Sequence, residues 1–171
     1  MKIILLGYMA SGKSTIGKEA SKKLNTNFID LDDYISNREK MTISEIFKNK
    51  GEIYFRLKEN KYLKEILNSD EDFILSLGGG TPCYAGNMDL IKASTAKSIY
   101  IKASIKTLVE RLKNEKNTRP LVAELNDDKL SEYVAKHLFE RRYFYEQASK
   151  TINTDNLTSK EVVTEIEKFL D

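Results

Sequence analysis

Four short apolar runs punctuate the chain: "IILL" at Ile3 to Leu6, "NFI" at Asn27 to Ile29, "FILSL" at Phe73 to Leu77 and "SIYI" at Ser98 to Ile101. Each is too short for a buried helix and lacks the alternation of a strand with one wet face, so each predicts a strand covered on both sides. Between them the apolar spacing becomes helical, over Thr15 to Leu24, Tyr34 to Asn49, Glu52 to Leu67 and Ile105 to Lys113. "TISE", Thr42 to Glu45, has capping-box spacing and restarts a helix inside the second of these. A weaker fifth strand, Thr151 to Asn153, is placed at an edge of the sheet. It leads into a last helix, Ser159 to Leu170, with Val162, Val163, Ile166 and Phe169 as its apolar residues. The alternation predicts an α/β fold with a five-stranded parallel sheet flanked by helices.

The longest stretch without a period is "NEKNTRPLVAELNDD", 114–128. It is highly charged, Pro120 keeps Arg119 out of the helical region, and a loop this long in a compact domain is either disordered or a lid. At 171 residues the chain fits one domain, 1–171. Lys+Arg 28 against Asp+Glu 26 leaves a net charge of +2, which gives no field for nucleic acid. The N-terminal "MKIILLGYMA" turns polar too early for a signal peptide or a membrane span, and Cys83 is alone, so a cytoplasmic setting is expected. Cys83 and the "YFY" at Tyr143 to Tyr145 are expected to pack, and His137 to sit on a helix flank.

Directly after the first strand, "GYMASGKST" satisfies G-x-x-x-x-G-K-[ST] through Gly7, Gly12, Lys13 and Ser14. Such a loop wraps phosphate oxygens in backbone N–H groups, here along Ala10, Ser11, Gly12, Lys13, Ser14 and Thr15, while the lysine meets the β- and γ-phosphates. The Ser14 hydroxyl is placed to ligate Mg²⁺. Gly17, further along, reads as room for a helix to approach the sheet. The next strand ends in "FIDLDDYI", which puts Asp30, Asp32 and Asp33 at the carboxyl edge, where open α/β sheets bind ligands. Asp30 is assigned to the metal and Asp32 to the acceptor hydroxyl, whereas Asp33 reads as a cap or a solvated residue.

The third strand ends in Gly78, Gly79 and Gly80 rather than in a residue that positions water, and bare backbone there suits an organic acceptor. Thr81 and Pro82 then fit a helix start, with Thr81 as cap. Arg56 and one of Arg141 or Arg142 are candidates to hold an anion, although Arg56 also has Glu52 and Glu59 at surface-pairing distance along a helix. Arg119, in the charged stretch, is by position alone a solvated surface arginine; as part of a lid it would be a cation able to stabilise the transferring phosphoryl group. The residues thus predict transfer of phosphate to a small anionic acceptor with a hydroxyl. A gluconate or nucleotide kinase and an ATP-binding module without catalysis remain the alternatives.

Taken in order, "GYMASGKST", "FIDLDDYI", Gly51 followed by "FRLKE", "LGGG", "TRPL" at Thr118 to Leu121 and "ERRYFY" at Glu140 to Tyr145 resemble the motif set of shikimate kinases over nearly the whole chain. The resemblance implies a nucleoside-monophosphate-kinase-like fold with substrate-binding helices over 34–67 and a lid over 114–128. It also implies transfer from ATP, with Mg²⁺, to the 3-hydroxyl of shikimate by a chain expected to be a monomer. Carried over, Asp32, Arg56, Gly79 and Arg141 bind shikimate, Arg119 is the lid arginine, and Asp30 and Ser14 serve the magnesium. Three positions depart from the family. Ala10 stands where glycine is usual, which presupposes a negative φ, and no proline follows the arginines of "ERRYFY". Near "NTDNLT" the arginine often found by adenine is missing, so adenine contacts are expected mostly from backbone, with Arg111 a candidate stacking partner and loose base selectivity.

Overall fold

The structure is a computed structural model and describes residues 1–115 and 120–171. Among these residues, five strands form one sheet in the order β2-β3-β1-β4-β5, with every pairing parallel. They are β1 Lys2–Leu6, β2 Asn27–Asp30, β3 Phe73–Ser76, β4 Lys97–Lys102 and β5 Lys150–Asn153, the last at an edge as expected.

Period-two alternation sorts the strand residues between two cores. Ile3, Leu5, Ile74, Ile99 and Ile101 face one side, where helices α1 (Lys13–Lys23) and α9 (Ser159–Leu170) cover them with Ile16, Ala20, Val162, Val163 and Ile166. Ile4, Leu6, Leu75 and Tyr100 face the other side, under α2 (Leu31–Glu39), α3 (Ile43–Lys50), α4 (Glu52–Leu67) and α5 (Asn87–Ala93), together with α6 (Ile105–Asn114), α7 (Pro120–Ala123) and α8 (Asp127–Tyr145). The apolar side chains of the three inner strands are almost wholly buried, so their runs carry no polar alternation. Gly17 does let α1 approach the sheet: a Cβ there would lie 2.4 Å from the Phe28 ring.

One expectation about the elements needs correcting. The irregular stretch 114–128 is shorter than supposed, because α6 ends at Asn114, α7 lies within it, and α8 has begun by Asp127. The Asn126 side chain caps α8 by accepting from the Lys129 N–H at 2.9 Å. The pattern over α8 did not announce a helix of this length, since only Leu130, Val134 and Tyr145 are buried along it. Between α2 and α3 the predicted restart is present. Lys40 ends α2 at φ 58, and Thr42 and Glu45 form a reciprocal capping box. Among the described residues no helix is long and apolar enough to cross a membrane.

Candidate active site

β1 sits between β3 and β4, so the chain leaves it on one side toward β2 and later returns to the other, and the loop after β1 opens at this switch in strand order. Gly7 passes so close to β4 that a Cβ would lie 2.5 Å from the Ile101 carbonyl oxygen. Gly12, at φ 98, precedes α1 and turns the helix's free N–H groups toward the loop. Lys13 is buried, and its ammonium donates to the carbonyls of Gly7 at 2.8 Å and Tyr8 at 3.0 Å. Ala10 overturns the expectation of a negative φ: it stands at φ 62, in the left-handed region. The loop imposes a conformation suited to glycine, at a cost to alanine of about 1 kcal/mol. Arg111 Nη1 donates to the Ala10 carbonyl at 3.0 Å and so holds this turn from α6.

Asp30 has two tasks. One carboxylate oxygen caps α2, accepting from the N–H groups of Asp32 at 3.0 Å and Asp33 at 3.4 Å, and the other accepts the Ser14 hydroxyl at 3.0 Å. The cap thus falls on Asp30, and Asp33 is solvated. Asp32, two residues on, is buried enough to push its carboxyl up to about 6; the charges of Asp30, Glu59 and Asp33 add to the effect, while Lys13 opposes it. At neutral pH it is still mostly ionised, a carboxylate ready to take a proton.

The glycine run makes room chiefly for the site's own charges. A Cβ on Gly78 would lie 3.2 Å from an Asp32 carboxylate oxygen, one on Gly79 3.0 Å from Arg141 Nη1, and one on Gly80 3.0 Å from Arg56 Nη2. Three consecutive glycines are therefore required because three charged groups converge on them. Arg56 makes both pairings foreseen from the sequence, with Glu52 at 3.7 Å and Glu59 at 3.0 Å, yet it is not a surface residue. Its guanidinium lies 3.8 Å from the centre of the Tyr84 ring, and Glu59 is only 1% exposed. The second Glu59 oxygen accepts the Thr81 hydroxyl at 2.7 Å. Thr81 is consequently not a cap; it lies inside a short 3-10 turn, Thr81–Cys83, preceded by Gly80.

The choice between the two arginines of "ERRYFY" is settled by α8. Arg141 turns inward to Gly79 and Gly80, whereas Arg142 pairs with Glu146 at 3.3 Å in solvent. Tyr145, fully buried, donates its hydroxyl to the Gly79 carbonyl at 2.6 Å. Tyr143 is 72% exposed rather than packed. His137 is half-buried on α8, and burial together with the Arg141 charge lowers its pKa. Cys83 has its thiol pushed up to about 11 by burial, which leaves it inert. Arg119 lies outside the described residues.

A cleft of about 480 Å³ joins these parts. Ala10 to Thr15 line its floor, Asp30, Asp32, Gly78 and Gly79 one end, and Arg111, Thr154, Leu157 and Val162 the other. Arg56 and Arg141 stand just beyond the acid end, at Gly80. Sequence reasoning took Glu59 for a surface partner and missed Tyr84; the one available signal was the Arg56 to Glu59 spacing.

The family model of shikimate kinase matches residues 9–171. The chain belongs to the shikimate kinase family. It is 50% identical to a shikimate kinase of Flavobacterium psychrophilum over 169 residues, 99% of this chain and 98% of that protein. A shikimate kinase of Flavobacterium johnsoniae is 47% identical over 96% of each chain. Among solved structures, the shikimate kinase of Bacteroides thetaiotaomicron superposes with a TM-score of 0.92 at 34% identity, covering 99% of this chain and 98% of its own. The Acinetobacter baumannii shikimate kinase, solved in complex with shikimate, gives 0.86 at 28% identity, over 99% and 92%. The motif set read from the sequence as that of shikimate kinases runs from Gly7 to Tyr145, and from Met9 onward it lies within the matched span; the fold is that of a P-loop kinase.

Proposed function

We propose that the chain transfers the γ-phosphoryl group of ATP to the 3-hydroxyl of shikimate, giving shikimate 3-phosphate and ADP in aromatic amino-acid biosynthesis. The observation that carries the reading is the convergence of Asp32, Arg56 and Arg141 on Gly78 to Gly80, beside the phosphate loop. Two guanidinium groups suit a carboxylate, and the carboxylate of Asp32 suits a hydroxyl poised for proton loss.

The backbone of Ala10 to Thr15 would cradle the phosphates, with Lys13 across the β- and γ-phosphates and Arg111 beside the base. Arg56 and Arg141 bind the shikimate carboxylate and so turn its hydroxyl toward the cleft. As that oxygen bonds to the γ-phosphorus, the bond to the bridging oxygen of ADP breaks and the hydroxyl proton passes to Asp32. Arg119, from the lid, donates to the phosphoryl oxygens during transfer. The Ser14 hydroxyl and the Asp30 carboxylate, 3.0 Å apart, are hard oxygen donors that fit Mg²⁺, which needs few protein ligands beside a nucleotide. When bound, that ion neutralises charge on the phosphates. We place the enzyme in the cytoplasm as a monomer.

A coupled ADP-release assay across shikimate, gluconate and nucleoside monophosphates tests the reading. Mg²⁺-dependent ADP formation that requires shikimate is expected. Equal or faster turnover with another acceptor would remove the substrate assignment, and no ADP with any acceptor would make the chain a binding module.

A further inference from the structure

Three side chains on one face of α8, at positions i, i+4 and i+8, reach the phosphate loop and the glycine run beside it: His137 at Tyr8, and Arg141 and Tyr145 at Gly79. Tyr145 donates to the Gly79 carbonyl at 2.6 Å, and Arg141 turns to Gly79 and Gly80 with its guanidinium 5.8 Å from the centre of the Tyr8 ring. His137, one turn earlier, shares a hydrogen bond of 3.0 Å between its Nδ1 and the hydroxyl of Tyr8, and the two rings meet edge to face. Tyr133 closes on the imidazole from the same helix, also edge to face.

Tyr8 in turn belongs to the phosphate loop. It is 1% exposed, and its carbonyl accepts both the Lys13 ammonium at 3.0 Å and the Ser11 N–H at 3.2 Å. One residue therefore meets the phosphate-binding lysine on its backbone and the acceptor-binding helix on its side chain. Neither Tyr8 nor His137 has to touch a substrate for this link to operate.

We propose that Tyr8 and His137 are positioning residues whose shared hydrogen bond couples the phosphate loop to Arg141, so that nucleotide and acceptor each tighten the other's binding. The proposal rests on the shikimate kinase reading. Fixing Arg141 on an acceptor carboxylate fixes the face of α8 that holds Tyr8. Filling the phosphate loop fixes Tyr8 and, through His137, the same face. Each ligand then meets a partner already ordered by the other, which is favourable coupling and is reciprocal by thermodynamic necessity.

The test measures the dissociation constant of shikimate by calorimetry with and without ADP and Mg²⁺, and that of ADP with and without shikimate. In the wild type each ligand should tighten the other by about 5-fold or more. Tyr8→Phe keeps the ring and removes the hydroxyl, and should lower this factor by about 2- to 10-fold, the scale of one hydrogen bond. His137→Ala should do the same. His137→Asn retains an amide that can donate or accept near the Nδ1 position and should restore most of the coupling. A lowered melting temperature in Tyr8→Phe with the wild-type factor intact would overturn the proposal and leave the pair as packing. A wild type that forms ADP with shikimate yet shows no coupling would overturn it while sparing the kinase reading. Absence of shikimate-dependent ADP formation would remove both.

Discussion

Asp32→Asn should make the protein more stable and nearly inactive, and the two effects share one cause. The carboxyl of Asp32 is pushed to about 6 by burial and by the neighbouring acids, against about 3.9 in an unfolded chain. The folded state thus holds the proton more tightly than the unfolded state. Below about pH 4 the residue is neutral in both states and carries no penalty. As pH rises from about 4 to about 6 the unfolded chain ionises first, and above that range the native state bears the full cost. A difference of about two pKa units, at about 1.4 kcal/mol each, sets a ceiling near 3 kcal/mol. Asn keeps the shape without the charge. Denaturant unfolding at pH 7.5 should show a gain of about 2 to 3 kcal/mol, or about 4 to 12 °C in melting temperature, shrinking below about 1 kcal/mol at pH 4.5. Turnover with shikimate should fall by about 10²-fold or more, since no base is left to take the hydroxyl proton. The acid limb of kcat/KM for shikimate, near pH 6 in the wild type, should vanish in the variant, which separates it from ionisation of ATP itself. A gain equal at both pH values would refute the electrostatic origin. Near-normal turnover, or an acid limb surviving in Asp32→Asn, would refute its part in proton transfer.

Arg56→Ala should weaken shikimate binding by about 1.5 to 3 kcal/mol and leave ATP affinity largely intact; separate titrations decide it, and an unchanged shikimate constant would return Arg56 to a surface pairing. Ala10→Gly relieves the positive φ, about 1 kcal/mol, against about 0.4 to 1 kcal/mol for the extra freedom of the unfolded glycine, and should raise stability by up to about 0.6 kcal/mol, measured by denaturant unfolding; a loss of stability would mean that the turn favours alanine. Arg119→Ala should lower kcat by about 10² to 10³-fold while shikimate binding without nucleotide changes little; a normal single-turnover rate would show that the lid cation takes no part in transfer.

The sequence by itself determined what depends on neighbours in the chain. Apolar runs and their periods placed all five strands, and the contiguous spacing of Gly7, Gly12, Lys13 and Ser14 gave the phosphate loop. Thr42 and Glu45 announced the break between α2 and α3, because a capping box is made within four residues. Tertiary structure decided everything that needed a partner from elsewhere. It turned Arg141 rather than Arg142 inward, because the α8 face carrying Tyr145 docks on Gly79. It drew Arg56 off the helix surface to Gly80, just beyond the acid end of the cleft, because Glu59 is buried against Thr81 and Tyr84 lies beneath the guanidinium. It set Ala10 at a positive φ, which loop closure imposes against the residue's own preference, and it paired Tyr8 with His137 across 129 positions. Local patterns are readable because backbone sterics and side-chain period act over a few residues. The geometry of the site is not, because it depends on which faces of separate elements meet when the two cores close on the sheet.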